Sequence, residues 1–238
     1  MRKPGFTLIE CLLGLALSLF IITAGFEFFA RAQKAFLRLK DREEAGQAAL
    51  AALDRIRIDL LHAGRGLAFE TGLGLVEAAE ATADELRTTS LERELALAAE
   101  ASAGDSRLSL SSAVGIVAGQ RVALRDGAAG EVRAVIAIET GAVILDAPLE
   151  RSYAPEKAVL LLLESVAYFL DKPARILRRR VDATGAQPLL EDAAAASWTL
   201  DPAAHLVRIR LELRTEGAHP HEATVFLKNP ALAGNSGT

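Results

Sequence analysis

The chain has 238 residues, of which 51% are apolar and 24% charged, a composition that supports a sizeable core in one or two domains. Its 27 basic and 31 acidic residues give a formal charge of −4, whereas a nucleic-acid-binding surface normally carries a basic excess, so we expect no direct nucleic-acid partner. Cys11 is the single cysteine, which excludes an intramolecular disulfide.

A short basic stretch at residues 1–5 precedes a long apolar run. The run covers residues 6–30, and an α-helix of about 25 residues at ~1.5 Å per residue crosses a ~30 Å hydrocarbon layer. Ser18 and Thr23 interrupt it with hydroxyls, and both can bond back to a helical carbonyl. A helix also satisfies its own backbone in lipid, so the run predicts a transmembrane helix over 6–30.

Glu10 is the exceptional residue of this run. A carboxylate in a spanning helix costs on the order of 2.5–3.5 kcal/mol at the middle of the bilayer and less near its edge. Such a group usually persists because it has a partner, and the alternative is that Glu10 lies at the level of the lipid headgroups.

Two other interpretations of the run stay open. A secretory signal peptide needs a small-residue cleavage site after the apolar stretch, and Ala30-Arg31-Ala32 offers one. A plain membrane anchor accounts for the length of the run but not for Glu10.

The segment Lys3–Glu10, with sequence KPGFTLIE, resembles the class III signal of type IV prepilins and type II secretion pseudopilins. The resemblance implies that a prepilin peptidase cuts between Gly5 and Phe6, before the apolar run, and that Phe6 is then N-methylated. It also implies that Glu10 acts in assembly. The expected partners are therefore the prepilin peptidase, other pilin or pseudopilin subunits and the lipid of the inner membrane.

A cut before Phe6 would create a charged amine about one helical turn from Glu10. In an apolar helix bundle each charge is costly unless it meets an opposite one. The Glu10 of one subunit can meet the Phe6 amine of its neighbour, and this pairing would also fix the axial stagger of the two helices.

The flanking charges alone would predict a different orientation. Two basic residues precede the run and five follow it (Arg31, Lys34, Arg38, Lys40 and Arg42), so a bare count of positive charges keeps the C-terminal side in the cytoplasm. Large domains translocate largely regardless of such counts. We therefore expect a single-pass protein of the bacterial inner membrane with its head in the periplasm, and at the cell surface or in a pseudopilus after assembly.

Residues 31–64 continue as an amphipathic helix. An apolar stripe recurs at spacings of three and four, and Gly64 is a natural left-handed stop; the stripe is Gly46, Ala49, Leu53, Ile56 and Leu60. We expect this half of the helix to pack against a head formed by residues 65–238.

The head has a β pattern. Eight strand-like runs are predicted, at 107–110, 121–125, 131–139, 142–146, 158–171, 175–181, 205–214 and 222–228. Thr140-Gly141 indicates a tight hairpin. The Ala-rich stretch Ala78–Ala103 is assigned to either loop or helix. The predicted fold is thus α+β, with a long N-terminal helix packed on an antiparallel, β-rich globular head.

Beyond the N-terminal signal, the chain resembles larger minor pilins of the PilW type and, more loosely, J-type pseudopilins. The resemblance rests on Leu53–Gly64, the V-G…G…V stretch from Val114 to Val122, Leu145–Leu149 and Leu227–Asn229. It implies a minor subunit that primes or caps a filament serving adhesion, motility, DNA uptake or secretion. The single cysteine fits this implication, because major pilins often carry a C-terminal disulfide loop.

The sequence offers little for catalysis. It contains no P-loop, no G-x-S-x-G and no Cys/His pair at catalytic spacing. The segment His219–Glu222 could ligate a metal, but a turn before the last strand is the preferred role. The run Arg178–Arg180 is expected to alternate between the two sides of a strand. We expect no catalytic residue, metal or cofactor, and no enzymatic activity.

Two alternatives to an assembly role stay open. The head could be a ligand-binding tip module, an adhesin or receptor, with the helix as its stalk. A membrane-anchored sensor or enzyme is a third class, and it would retain residues 1–5.

Overall fold

The computed structural model of the chain describes residues 7–214 and 219–230. Within these residues the chain forms a long helix, a short helix and a series of antiparallel strands, which confirms the predicted α+β class. The elements are α1 (Leu8–His62), α2 (Ala68–Gly72), β1 (Ala79–Ala81), β2 (Glu85–Leu95), β3 (Arg107–Ser109), β4 (Arg121–Asp126), β5 (Ala129–Glu139), β6 (Ala142–Leu145), β7 (Val159–Asp171), β8 (Ile176–Val181), β9 (Gln187–Leu190), β10 (Ala193–Asp201), β11 (Leu206–Leu213) and β12 (His221–Phe226).

The chain divides into two units, and the division falls inside α1. The N-terminal unit is Met1–Gln47, and the head unit is Ala48–Thr238. The last turns of α1 therefore belong to the head. The division lies within the segment 31–64 that the sequence assigns to the amphipathic half of the helix.

The helix ends where the sequence predicts. In the head unit its predicted stripe is buried at Ala49, Leu53, Ile56 and Leu60. Gly46, the first residue of the stripe, belongs to the N-terminal unit and is half-buried. Gly64 has φ +71°, a left-handed conformation that glycine adopts without steric cost and that stops a helix.

Two sheets form the head. The larger has the strand order β1-β2-β7-β4-β5-β6-β3, and β8 pairs with β7 and β9 with β8. Strand β7 is central, because β2 pairs along one of its edges while β4 and β8 follow each other along the other edge. The smaller sheet has the order β10-β11-β12.

Alternation along the strands builds the core. In β11, Val207, Ile209 and Leu211 are buried while Arg208 and Arg210 are exposed, as the sequence predicts. One core cluster combines α1 residues with side chains from both sheets, including Leu86, Tyr168, Trp198 and Ile209. The C-terminal turns of α1 thus pack on an antiparallel β-rich head.

The eight predicted strand runs correspond to β3–β8, β11 and β12, so these predictions are confirmed. The hairpin at Thr140-Gly141 is also confirmed, because Glu139 pairs with Ala142 and Gly141 has φ +70°.

The assignment of Ala78–Ala103 to loop or helix was wrong, because β1 and β2 lie there. Strand β2 pairs with β7 over its whole length, and this central position outweighs the low β propensity of its Glu and Arg residues. Strands β9 and β10 and helix α2 were not predicted. The Ala-rich start of β10 carries little β signal, yet Ala193 is buried in the core cluster.

Candidate functional site

The N-terminal unit contains the segment expected to span a membrane. Within the described residues, α1 is the one helix long and apolar enough to do so, and its most apolar stretch is not buried. Leu8, Phe20 and Phe28 expose between 71% and 82% of their surface. The described protein therefore leaves this apolar surface uncovered, as a single-pass anchor requires.

Ser18 and Thr23 satisfy their hydroxyls inside the helix, as expected. Ser18 Oγ donates to the Gly14 carbonyl at 2.7 Å, and Thr23 Oγ1 donates to the Leu19 carbonyl at 3.0 Å. Neither hydroxyl therefore needs a partner from another helix.

Glu10 closes the first turn of α1 in a capping box with Thr7. The Thr7 backbone N–H and hydroxyl donate to Glu10 Oε2 at 2.9 and 2.8 Å, and the Glu10 N–H donates to Thr7 Oγ1 at 3.4 Å. This pattern satisfies orphan donors at a helix start. This capping box was not predicted, although the T-x-x-E spacing of Thr7 and Glu10 is its sequence signature.

The capping box does not exhaust the Glu10 carboxylate. An ionised carboxylate offers about four lone-pair sites, and both bonds from Thr7 reach the same oxygen, Oε2. No donor among residues 7–214 and 219–230 reaches Oε1, and the side chain is exposed. Glu10 can therefore cap the first turn of α1 and also pair with a cation of another molecule.

Gly5 and Phe6, the predicted cleavage pair, lie outside the described residues. The predicted contact between a Phe6 amine and Glu10 thus stays a prediction. Cys11 is a free, exposed thiol on the apolar segment.

In the head unit, a buried carboxylate joins the last turns of α1 to the larger sheet. Asp59 Oδ2 accepts a hydrogen bond from Arg179 Nε at 2.7 Å and another from the Tyr168 hydroxyl. Arg55, one turn earlier, lies 3.4 Å from Asp59 Oδ1. The Asp59 and Arg179 side chains are only 8% and 16% exposed, so the pair is shielded from water.

The buried network shifts the pKa values of Tyr168 and Arg179. Burial raises the pKa of the Tyr168 phenol, and its hydrogen bond to Asp59 raises it further. Burial acts to lower the pKa of Arg179, but the hydrogen bonds to Asp59 and Tyr168 outweigh it and raise that pKa. The arrangement holds Tyr168 neutral and Arg179 charged, which suits a structural clamp. We call Asp59, Tyr168 and Arg179 the helix clamp.

A second contact holds the end of α1. Asn229 Nδ2 donates to the carbonyls of Ala63 at 2.9 Å and Leu61 at 3.3 Å, and it thereby satisfies acceptors that a helix end leaves orphaned. The Gly64 N–H donates to the Thr89 carbonyl at 2.7 Å. The end of the helix is thus tied to β2 and to the segment that follows β12.

Another buried carboxylate, Glu131, organises the loop after β6. It accepts bonds from the Tyr153 hydroxyl at 3.0 Å and the Glu150 N–H at 3.1 Å, and it pairs with Arg133 at 2.5 Å. Burial raises the pKa of Tyr153, followed in importance by the hydrogen bond to Glu131. With both oxygens engaged by the protein itself, this carboxylate has a structural role.

The predicted positions of the other polar motifs agree with the structure. Arg178 and Arg180 lie on the face of β8 opposite Arg179, since they pair with Asp171 and Glu85 while Arg179 reaches α1. His219 and Pro220 precede β12, which begins at His221. Within residues 7–214 and 219–230, no group of three or more His, Cys, Asp or Glu side chains could hold a metal ion.

Comparisons with known proteins add no family. No protein-family model matches the chain, and no curated protein matches it. Two solved structures share short stretches with it. One is the Gp54 tailspike of Acinetobacter baumannii bacteriophage AP22 in complex with A. baumannii capsular saccharide, at 14% identity and a TM-score of 0.28 over 32% of this chain and 15% of that one. The other is the tailspike protein gp49 from Pseudomonas phage LKA1, at 21% identity and a TM-score of 0.26 over 29% and 14%. The chain spans only about one seventh of either tailspike, and similarity this low carries no argument about function.

Proposed function

We propose that the chain is a minor pilin or pseudopilin subunit that primes or caps a type IV filament, and that its role is structural rather than catalytic. The observation that carries the proposal is an uncovered apolar helix whose first turn holds one carboxylate, of which the described residues engage only Oε2. In lipid, such a helix is a membrane anchor. Beside a second copy, it is one helix of a bundle.

The chemistry of Glu10 supports a pairing role. A carboxylate with spare acceptor capacity in an apolar bundle attracts a cation strongly, because little water competes for it. Removal of residues 1–5 by a prepilin peptidase would supply that cation as the Phe6 amine, which methylation leaves charged. The amine of one subunit would then meet Glu10 Oε1 of the next.

The head contacts support the transmission of force from the helix. The helix clamp and Asn229 fix the last turns of α1 to the larger sheet and to the end of the head. A subunit pulled by its helix during assembly would therefore move its head with it. In this proposal the chain is a single-pass protein of the inner membrane, and its head lies on the periplasmic side.

The test separates the charge of Glu10 from its capping role. Glu10→Gln keeps an oxygen for the Thr7 donors but removes the negative charge, whereas Thr7→Ala removes the capping hydroxyl and keeps the charge. We expect both variants to insert into membranes, and we expect only Glu10→Gln to fail in co-purification with other subunits of the filament.

Site-specific crosslinking between cysteines placed near positions 6 and 10 of two copies gives the second readout, after Cys11→Ser removes the native thiol. The pairing role is refuted if Glu10→Gln incorporates and crosslinks as efficiently as the unaltered chain.

A further inference from the structure

A small pocket on the larger sheet is lined by three arginines from three different strands. Arg87 in β2 and Arg180 in β8 both pair with Ala167 of β7, so the three residues form one row across the sheet. Arg121 begins β4, opposite Leu163 on the same strand β7. The pocket between them has a volume of about 120 Å³, and Ser165, Ala167, Gly119 and Asp182 complete its lining.

Small side chains make this pocket. Neighbouring strands lie about 4.7–4.9 Å apart, so the backbones of Arg87 and Arg180 stand roughly 9.5 Å apart with Ala167 between them. An alanine there leaves open space between two long cationic side chains. The pocket lies on the face of β8 opposite Arg179, so it does not overlap with the helix clamp.

The acidic residues around the pocket are largely committed. Glu85 bridges two of the arginines, with Oε1 3.0 Å from Arg87 Nε and Oε2 3.2 Å from Arg180 Nη2. Asp182 Oδ1 accepts from the Ser165 N–H at 2.8 Å, and Oδ2 accepts from Gln120 Nε2 at 3.1 Å. These bonds hold the loop after β8 against β7.

Arg121 is the cation without a matched anion. Among the described residues, its guanidinium makes no ion pair, and its one side-chain bond goes from Nη2 to the neutral Thr89 hydroxyl at 2.9 Å. Burial lowers the pKa of Arg121, and nearby Arg87 lowers it further, against Glu80 and Asp182, which raise it. A partly desolvated guanidinium beside a second cation is stabilised by any oxyanion that can enter.

We propose that this pocket binds a small oxyanion (a phosphate, sulfate or carboxylate group), with Arg121 as the principal ligand, Arg87 and Arg180 on either side and Ser165 as a hydroxyl donor. The forked N–H groups of arginine match the oxygens of such groups in a bidentate manner. The pocket volume admits one such group, either as a free ion or as the charged substituent of a larger molecule. The inference does not depend on the proposed function.

Inorganic phosphate is the first probe, and acetate at the same ionic strength is the second. The full chain in detergent is melted across a millimolar concentration series of each, with chloride adjusted to hold the ionic strength constant. We expect Tm to rise with the logarithm of the ligand concentration above the dissociation constant, and to reach an increase of roughly 3–6 °C at ten times that constant. A larger rise in Tm with phosphate than with acetate indicates a phosphate-like ligand, and a larger rise with acetate indicates a carboxylate.

Arg121→Gln is the test variant, and Arg208→Gln is its matched control, because Arg208 is exposed on the smaller sheet. Arg121→Gln should weaken binding about tenfold or more and thereby lose most of the rise in Tm at a given phosphate concentration, while Arg208→Gln should keep it. Non-specific stabilisation by phosphate, which comes from its exclusion from the protein surface, would be equal in both variants.

If Arg121→Gln does not fold, Arg87→Gln decides, because that side chain is 36% exposed and contacts the pocket from its rim. The site is refuted if neither probe raises the Tm of the unaltered chain above its value in chloride at the same ionic strength, or if the folded pocket variant responds as strongly as Arg208→Gln.

Discussion

Replacement of Asp59 by alanine tests whether the helix clamp holds α1 to the head. The substitution removes a carboxylate that is 8% exposed and leaves the Arg179 guanidinium, which is 16% exposed, without its anion. It also leaves the fully buried Tyr168 hydroxyl without its acceptor. Removing one partner of a buried ion pair costs about 3–5 kcal/mol, and the better helix propensity of alanine returns about 0.5 kcal/mol. We therefore expect Asp59→Ala to lower the free energy of unfolding by about 3 kcal/mol.

Asp54→Ala is the matched control. Asp54 lies on the exposed face of the same helix, five residues earlier, so its loss removes the same charge and gains the same propensity without breaking a buried pair. We expect that variant to stay within about 0.5 kcal/mol of the unaltered chain.

Urea unfolding of the full chain in detergent measures both variants. Trp198 is the single tryptophan and lies in the same core cluster as Ile56 and Leu60, so its fluorescence reports separation of α1 from the head. A double-mutant cycle with Arg179→Met should show a coupling energy of about 1.5 kcal/mol or more. The helix clamp does not hold α1 if the free energies of unfolding of Asp59→Ala and Asp54→Ala agree within about 1 kcal/mol, or if the effects of Asp59→Ala and Arg179→Met simply add.

Three further predictions concern the head, and the same urea assay measures each. Gly119→Ala should cost about 2–4 kcal/mol, because Gly119 has φ +91° and an added Cβ would lie 2.3 Å from the Ala183 Cβ. Gly104 has a similar φ of +93° but open space around it, so Gly104→Ala should cost about 1 kcal/mol. Equal losses in the two variants would contradict the steric explanation. The pKa values of Tyr153 and Tyr168 are raised on folding, so their contribution to stability is intact below the unfolded value of about 10 and is lost progressively as the pH rises above it. The double Tyr→Phe variant should therefore lose less stability at alkaline pH. An unchanged dependence of stability on pH would refute this assignment. Asn229→Ala should cost about 1 kcal/mol, because it removes two hydrogen bonds to the end of α1. Lys228 is the exposed neighbour of Asn229, and Lys228→Ala should leave stability unchanged. If Asn229→Ala also leaves stability unchanged, water replaces the two bonds without loss.

Much of the fold could be predicted from local patterns. The apolar run, the stripe through Ala49 and Leu60 and the stop at Gly64 all express a helical period and its terminator within a few neighbouring residues. Strands such as β11 alternate strictly between buried and exposed side chains, so they too can be recognised from the sequence alone.

The strands that were not predicted from the sequence share a physical cause. Strand β2 owes its conformation to its central pairing with β7, and the Ala-rich start of β10 owes its conformation to the core of the smaller sheet. In both, partners distant in sequence decide the structure, while local propensity indicates little.

The polar sites divide in the same way. The capping box of Thr7 and Glu10 is local and could have been found from its spacing. The helix clamp could not, because Asp59 and Arg179 are far apart in sequence and nothing local marks one arginine of a run of three as buried. The pocket around Arg121 likewise exists only once three strands are aligned.

Processing of the N-terminus decides whether α1 begins as a filament helix rather than as a simple anchor. Intact-mass measurement on protein isolated from bacterial membranes should find a chain that starts at Phe6 and carries one added methyl group. A chain that keeps Met1, or one cut after Ala32 and released from the membrane, would contradict the proposal.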